Sequence, residues 1–168
     1  METLQEYFQL LARLDAEIER LCRWHGPQLK CREGCSSCCT ELTLLPIEAA
    51  SLRRAFAGLP AGEQEIVRGQ ARLPGSGCPF LHRERCLIYP ARPVICRTHG
   101  LPVAYVDPER EVIEVSACDL NFPPEHELEQ DGLLFLDPFN EELRRLSEDS
   151  WVKSGEMGRI AMRECIGG

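Results

Sequence analysis

The sequence has no long apolar run. Nowhere in its 168 residues do the roughly 18 to 20 consecutive apolar positions of a membrane-crossing helix occur, so no membrane partner is expected. It also lacks an excess of basic charge: 19 lysines and arginines stand against 27 acidic residues, for a net charge of -8. A phosphate backbone is bound by basic surfaces, so no nucleic-acid partner is expected either. The opening Met1-Glu2-Thr3-Leu4-Gln5-Glu6 has no basic stretch leading into a continuous apolar core, which argues against an export signal and for a cytoplasmic protein. There is no Gly-rich phosphate loop, no H-E-x-x-H and no G-x-S-x-G, so no catalytic residue is nominated. Glu125, Glu127 and Glu129 alternate beside prolines and do not suggest a catalytic pair.

What is present is an ordinary globular composition, 43% apolar and 27% charged, expected to form one domain over residues 1–168. Leu4, Tyr7, Leu11, Leu14, Ile18 and Leu21 step by three and four, predicting a helix over 3–22; the same seam fits a coiled coil and hence a homodimer through this helix. Pro46 and Glu48 open a second helix that Gly58 stops, and a third follows Pro60 over 61–72, ended by Leu73-Pro74-Gly75. Between 77 and 100 the prolines leave room for a short strand at 87–89 and one helical turn at 94–97. Val103, Tyr105 and Val106, then Asp107-Pro108-Glu109-Arg110, then Val112, Ile113 and Val115 predict a hairpin. A last helix covers 138–149, with Phe139, Leu143 and Leu146 on one face. Residues 1–100 carry a charge of +2 and residues 101–168 a charge of -10, the latter read as a solvated surface. The fold class is therefore α+β: a small domain of helices around a short antiparallel hairpin, its loops tied by a cysteine-ligated metal site.

Ten cysteines are several times ordinary usage, and four fall within nine residues: Cys31, Cys35, Cys38 and Cys39. Cys78, Cys86, Cys96 and Cys118 follow, with Cys22 and Cys165 apart and read as buried apolar residues. Short C-x3 and C-x2 spacings let a turn aim sulfurs at one point, and Gly34 supplies the backbone freedom such a turn needs. Packing alone gives no reason to crowd thiols beside Gly34, Ser36 and Ser37. Adjacent Cys38 and Cys39 are expected to diverge, so that one serves a second ion or another role. In a reducing compartment such a group binds metal; a disulfide framework is the alternative if the chain is exported. Vicinal Cys38-Cys39, or Cys35-x2-Cys38, also fits a redox dithiol. His99, three residues after Cys96, is a further candidate ligand, set against an ordinary hydrogen-bonded role. For Arg92 and Arg97, donation to sulfur or to backbone carbonyls near the site stands beside ordinary surface ion pairs as an equal alternative.

Two blocks resemble the CxxCxxCC cysteine-cluster family of zinc- or iron-chelating domains. The first is Cys31 to Cys39. The second is Cys78-Pro79-Phe80-Leu81 through Arg85-Cys86-Leu87-Ile88-Tyr89-Pro90-Ala91-Arg92-Pro93-Val94-Ile95-Cys96-Arg97, so that the family-like core spans about 28–100. Three residues rather than two separate Cys31 from Cys35. The resemblance implies metal-binding roles for Cys31, Cys35, Cys38, Cys39, Cys78, Cys86 and Cys96; Cys118 is added from its residue type alone. The cofactor is zinc or iron, since all-thiolate sites suit both, with a [4Fe-4S] cluster as the alternative. Over the cysteine motif the sequence is also similar to flagellin lysine methylases, which implies that alternative and a redox or methyl-transfer role. The site is expected where the 31–39 loop meets the 78–96 loop.

Overall fold

A computed structural model describes residues 2–32, 34–73, 75, 77–107, 109–155 and 158–167. The element order is α1 (Glu2–His25), β1 (Thr43–Leu44), α2 (Pro46–Ala57), α3 (Ala61–Ala71), β2 (Leu81–His82), β3 (Arg85–Cys86), α4 (Val94–Thr98), β4 (Val103–Asp107), β5 (Val112–Ser116), β6 (Leu134–Phe135), α5 (Asp137–Ser154) and β7 (Ile160–Ala161). Short 3-10 turns cover Gly26–Gln28, Tyr89–Ala91, Gln130–Gly132 and Met162–Ile166. The fold is α+β, as expected. Among the described residues no helix is long and apolar enough to cross a membrane.

The period-3.6 seam of α1 is buried within the chain. Tyr7, Leu10, Leu11, Leu14 and Leu21 pack with Ile47 of α2, Leu143 and Leu146 of α5, and Val103, Leu134 and Leu136 of the central sheet. That sheet has the order β5-β4-β6. Its expected hairpin pairs Val103 with Ser116 and Asp107 with Val112, and the Asp107 carboxylate accepts from the Glu109 and Arg110 amides to cap the turn. The parallel partner β6, with Val103 opposite Leu134, was not anticipated.

A second core lies on the other side of α2. There Leu52 and Phe56 meet Val67 of α3, Phe80, Ile88, Ile160 and Met162, with Cys78, Cys86 and Cys96 packed half-buried against them. Two expectations are corrected. No strand forms at 87–89: the chain turns earlier, pairing Leu81 with Cys86 and His82 with Arg85, and residues 89–91 wind into the 3-10 turn. Cys22 is exposed, because it lies next to the buried Leu21 rather than on the packed face, whereas Cys165 is buried as expected. Pro74 and Pro108, expected at a helix end and in the hairpin turn, lie outside the described residues.

Candidate metal centre

Among the described residues from Cys31 to Cys39 there is no helix or strand but tight turns: Cys35 N–H donates to the Arg32 carbonyl and Cys39 N–H to the Ser36 carbonyl, both at 2.9 Å. Gly34, at φ +90°, takes the backbone conformation that a side chain would resist. The second cysteine block is pinned to this loop where Cys78 N–H donates to the Cys39 carbonyl at 3.3 Å. Gly77, at φ +79°, makes the crossing possible, since a Cβ there would stand 3.3 Å from that same carbonyl.

The β2–β3 hairpin then carries Cys86 back toward Cys78. Its turn residues Arg83 and Glu84 both adopt positive φ, at 49° and 61°, the conformation that matches strand twist but ordinarily recruits Asn and Gly. Cys96 rides on α4. The start of that helix is held by Glu48, whose Oε1 accepts from Val94 N–H at 3.1 Å while Oε2 accepts from Leu45 N–H at 3.1 Å, one buried carboxylate tying the first turns of α2 and α4. Burial pushes its pKa up, making it a weaker acid than an ordinary carboxyl.

These elements surround one cavity of about 400 Å³. Cys31, Cys35, Cys38, Cys39, Cys78, Cys86 and Cys96 all line it, over a floor of Phe80, Ile88 and Met162. The thiols are graded in depth: Cys31, Cys35 and Cys38 are exposed at the mouth, and Cys39, Cys78, Cys86 and Cys96 are partly buried. Cys38 and Cys39, expected to diverge, both face the cavity, and a hydrogen bond from the Cys38 side chain to Cys39 partly offsets the upward effect of burial on Cys39. Cys118 is partly buried and is not among the lining residues. His99 does line the cavity, and its Nδ1 lies 2.9 Å from the Ile95 carbonyl. A carbonyl only accepts, so the proton belongs on Nδ1 and the Nε2 lone pair remains for a ligand.

Burial dominates the thiol chemistry. It pushes Cys78 up to about 11 and Cys96 up to about 12, with the neighbouring thiol of Cys86 adding to both. Cys38, Cys39 and Cys86 are raised too, again chiefly by burial. The Arg92 guanidinium works against this at Cys39, Cys86 and Cys96. It stacks 3.6 Å from the Tyr89 ring centroid and donates to the Cys96 and Tyr89 carbonyls, both at 3.2 Å. Arg97 donates to the Arg92 carbonyl at 2.8 Å, to the Pro90 carbonyl, and to both carboxylate oxygens of Asp15 at 2.7 Å. Both arginines thus donate to backbone carbonyls rather than to sulfur, and Arg97 also makes the ion pair that was the alternative, with the half-exposed Asp15.

Among the described residues no three His, Cys, Asp or Glu side chains already converge as a closed coordination group. The donors ring a cavity instead of meeting at a point. Their chemistry, thiols with one imidazole, suits zinc and iron and not the hard cations that require oxygen ligands. Sequence reasoning missed two supporting residues. Glu48 is legible only as a helix-start carboxylate, with nothing to mark its reach to Val94. Asn121, a lone amide in a turn, carries no local signal at all.

No curated protein and no solved structure matches this chain. A family model does, over residues 30–118, just over half of the chain and including every cysteine of the cavity. The chain belongs to the CxxCxxCC family, described as a "putative zinc- or iron-chelating domain".

Proposed function

We propose that this protein captures zinc or iron through the graded thiols of its cysteine-lined cavity, acting in the reducing cytosol as a sequestering or delivering protein. The observation that carries the reading is the gathering of seven thiols, from segments some 40 residues apart in sequence, around one space. Cys39, Cys78, Cys86 and Cys96 form the retaining set, walled by Phe80, Ile88 and Met162. Cys31, Cys35 and Cys38 at the mouth are the first donors an incoming ion meets. Each partly buried thiol gives up its proton when it ligates, and Arg92 offsets part of the negative charge that accumulates. Bridging the 31–39 loop to the 78–96 loop also makes ligation stabilise the fold, on the order of 10 kcal/mol for a structural zinc site in the apparent sense.

The size of the cavity favours a second reading, an iron–sulfur cluster. About 400 Å³ is more than ten times the roughly 30 Å³ that one water occupies in the liquid, far beyond what one ion needs. The deciding experiment is elemental analysis with an absorbance spectrum on protein purified without oxygen and without an affinity metal. Colourless protein with one or two equivalents of zinc, or iron without sulfide, supports capture of simple ions. Iron with acid-labile sulfide and visible absorbance supports the cluster. Metal-free protein that also fails to take up either ion overturns both.

A further inference from the structure

Cys31 is held differently from the other thiols at the mouth. Asn121 is 1% exposed and lies beyond the family-like residues, in a turn where its amide and that of Phe122 both donate to the Cys118 carbonyl. Its Nδ2 lies 3.3 Å from the Cys31 sulfur and 2.7 Å from the Gly100 carbonyl, and its Oδ1 accepts from Lys30 N–H at 2.9 Å. One buried amide therefore engages the sulfur, the backbone just before it, and Gly100, two residues past the end of α4.

Gly100 completes the arrangement from the opposite side. Its φ is +99°, and a Cβ built there would stand 2.5 Å from the Cys31 sulfur, so only glycine lets the sulfur approach the backbone this closely. Among the described residues, Cys35 and Cys38 have turn hydrogen bonds around them but no comparable side-chain donor.

We propose that Asn121 and Gly100 form a seat for the Cys31 sulfur, with Asn121 a positioning residue whose N–H group donates to that sulfur and fixes it at the mouth of the cavity before an ion arrives. The inference rests on the metal-capture reading above and adds a division of labour to it. Cys31 is the preset donor, and Cys35 and Cys38 close onto an ion it already holds. A donor to a ligating sulfur also orients its lone pairs, as partners of metal ligands generally do.

The test loads the full chain with an NMR-active cadmium isotope and looks for scalar coupling from the Asn121 side-chain amide protons through the Cys31 sulfur to cadmium. Coupling is expected; its absence, with cadmium bound, overturns the seat. This measurement needs no variant, so it survives a fold that does not tolerate substitution at Asn121. In a cycle with Cys31→Ser, Asn121→Ala should weaken cadmium retention against a chelator by about 10- to 100-fold in the wild-type background and leave the Cys31→Ser protein unchanged. Equal losses in both backgrounds would make Asn121 a purely structural residue. If the wild-type chain binds no cadmium, capture fails and the seat is judged alone. In the metal-free chain, Asn121→Ala should then change the iodoacetamide alkylation rate of Cys31 severalfold while leaving Cys35 and Cys38 as they were. A uniform change or none would refute the seat.

Discussion

Arg97→Ala is the substitution whose consequence can be worked out most fully. The Arg97 side chain is 8% exposed and ties three pieces of chain together: Asp15 on α1, and the carbonyls of Pro90 and Arg92 in the segment that carries Tyr89 and leads into α4. Asp15 is 43% exposed, so the ion pair is screened and contributes about 1 kcal/mol. Each backbone carbonyl loses a charged donor, at roughly 1 kcal/mol apiece once solvent reaches the gap. The total is about 3 kcal/mol, and in a domain of this size each kcal/mol lowers the melting temperature by about 2–4 °C, so a drop of about 6–12 °C is expected. Arg97→Lys keeps the charge but not the planar fork that reaches both carbonyls, and should recover only about a third of the loss. Thermal melts followed by circular dichroism, with and without chelator, are the assay. If Arg97→Ala melts within 2 °C of wild type, the guanidinium does not tie the 89–93 segment to α1 and the argument fails.

Three further outcomes follow from the geometry. Burial places the Cys78 and Cys96 thiols at about 11 and about 12, above the ordinary 9.0 they regain on unfolding, so the metal-free folded chain binds more protons than the unfolded one. That part of its stability is fully present below pH 9 and is lost as the pH climbs toward 11–12; chemical denaturation at stepped pH measures it, and a flat profile would contradict the burial of these thiols. Glu84→Gly removes a side chain from a left-handed turn position at φ 61° and should stabilise the protein by about 1 kcal/mol in urea unfolding, whereas a loss would mean that Glu84 makes an interaction exceeding the strain. Cys165→Ser buries a hydroxyl at a site 3% exposed that shares a core with the cavity floor but does not line the cavity, costing about 1–3 kcal/mol with metal content unchanged; a fall in bound metal would place Cys165 in the ligand set.

Elements driven by local periodicity were legible in the sequence. The seam of α1 and the proline start of α2 fall within a few residues of where spacing puts them, because each helix buries a face that its own sequence defines; β4 and β5 also fall where their β-branched runs put them, although every residue of β5 is exposed. Elements driven by distant pairing were not. β1 and β7 have two residues each, and Thr43 meets Ala161 across more than 100 residues of chain, which no window of local sequence encodes. The hairpin that presents Cys86 was missed, a lone short strand being expected at 87–89 instead, because its turn uses Arg83 and Glu84 where Asn and Gly would have announced it. At the site, spacing pointed to Cys31, Cys35, Cys38 and Cys39, and the resemblance of the second block pointed to Cys78, Cys86 and Cys96. Neither could show that their supports, Glu48, Gly100 and Asn121, come from segments brought near only by folding.

The floor of the cavity carries a consequence for the order in which the protein is made. Met162 belongs to a strip at 159–163 that grips the chain just past the cysteine run: Met162 N–H donates to the Leu42 carbonyl, Arg159 donates to Thr43, and Arg163 pairs with Glu41, 122 residues earlier. A ribosome adding about 5–20 residues per second leaves an interval of roughly ten seconds between those partners. Throughout that interval the clustered thiols are outside or leaving the exit tunnel, without their wall and open to any oxidant or ion nearby. The finished enclosure therefore forms only once the 159–163 strip has emerged, and selective loading must wait for it.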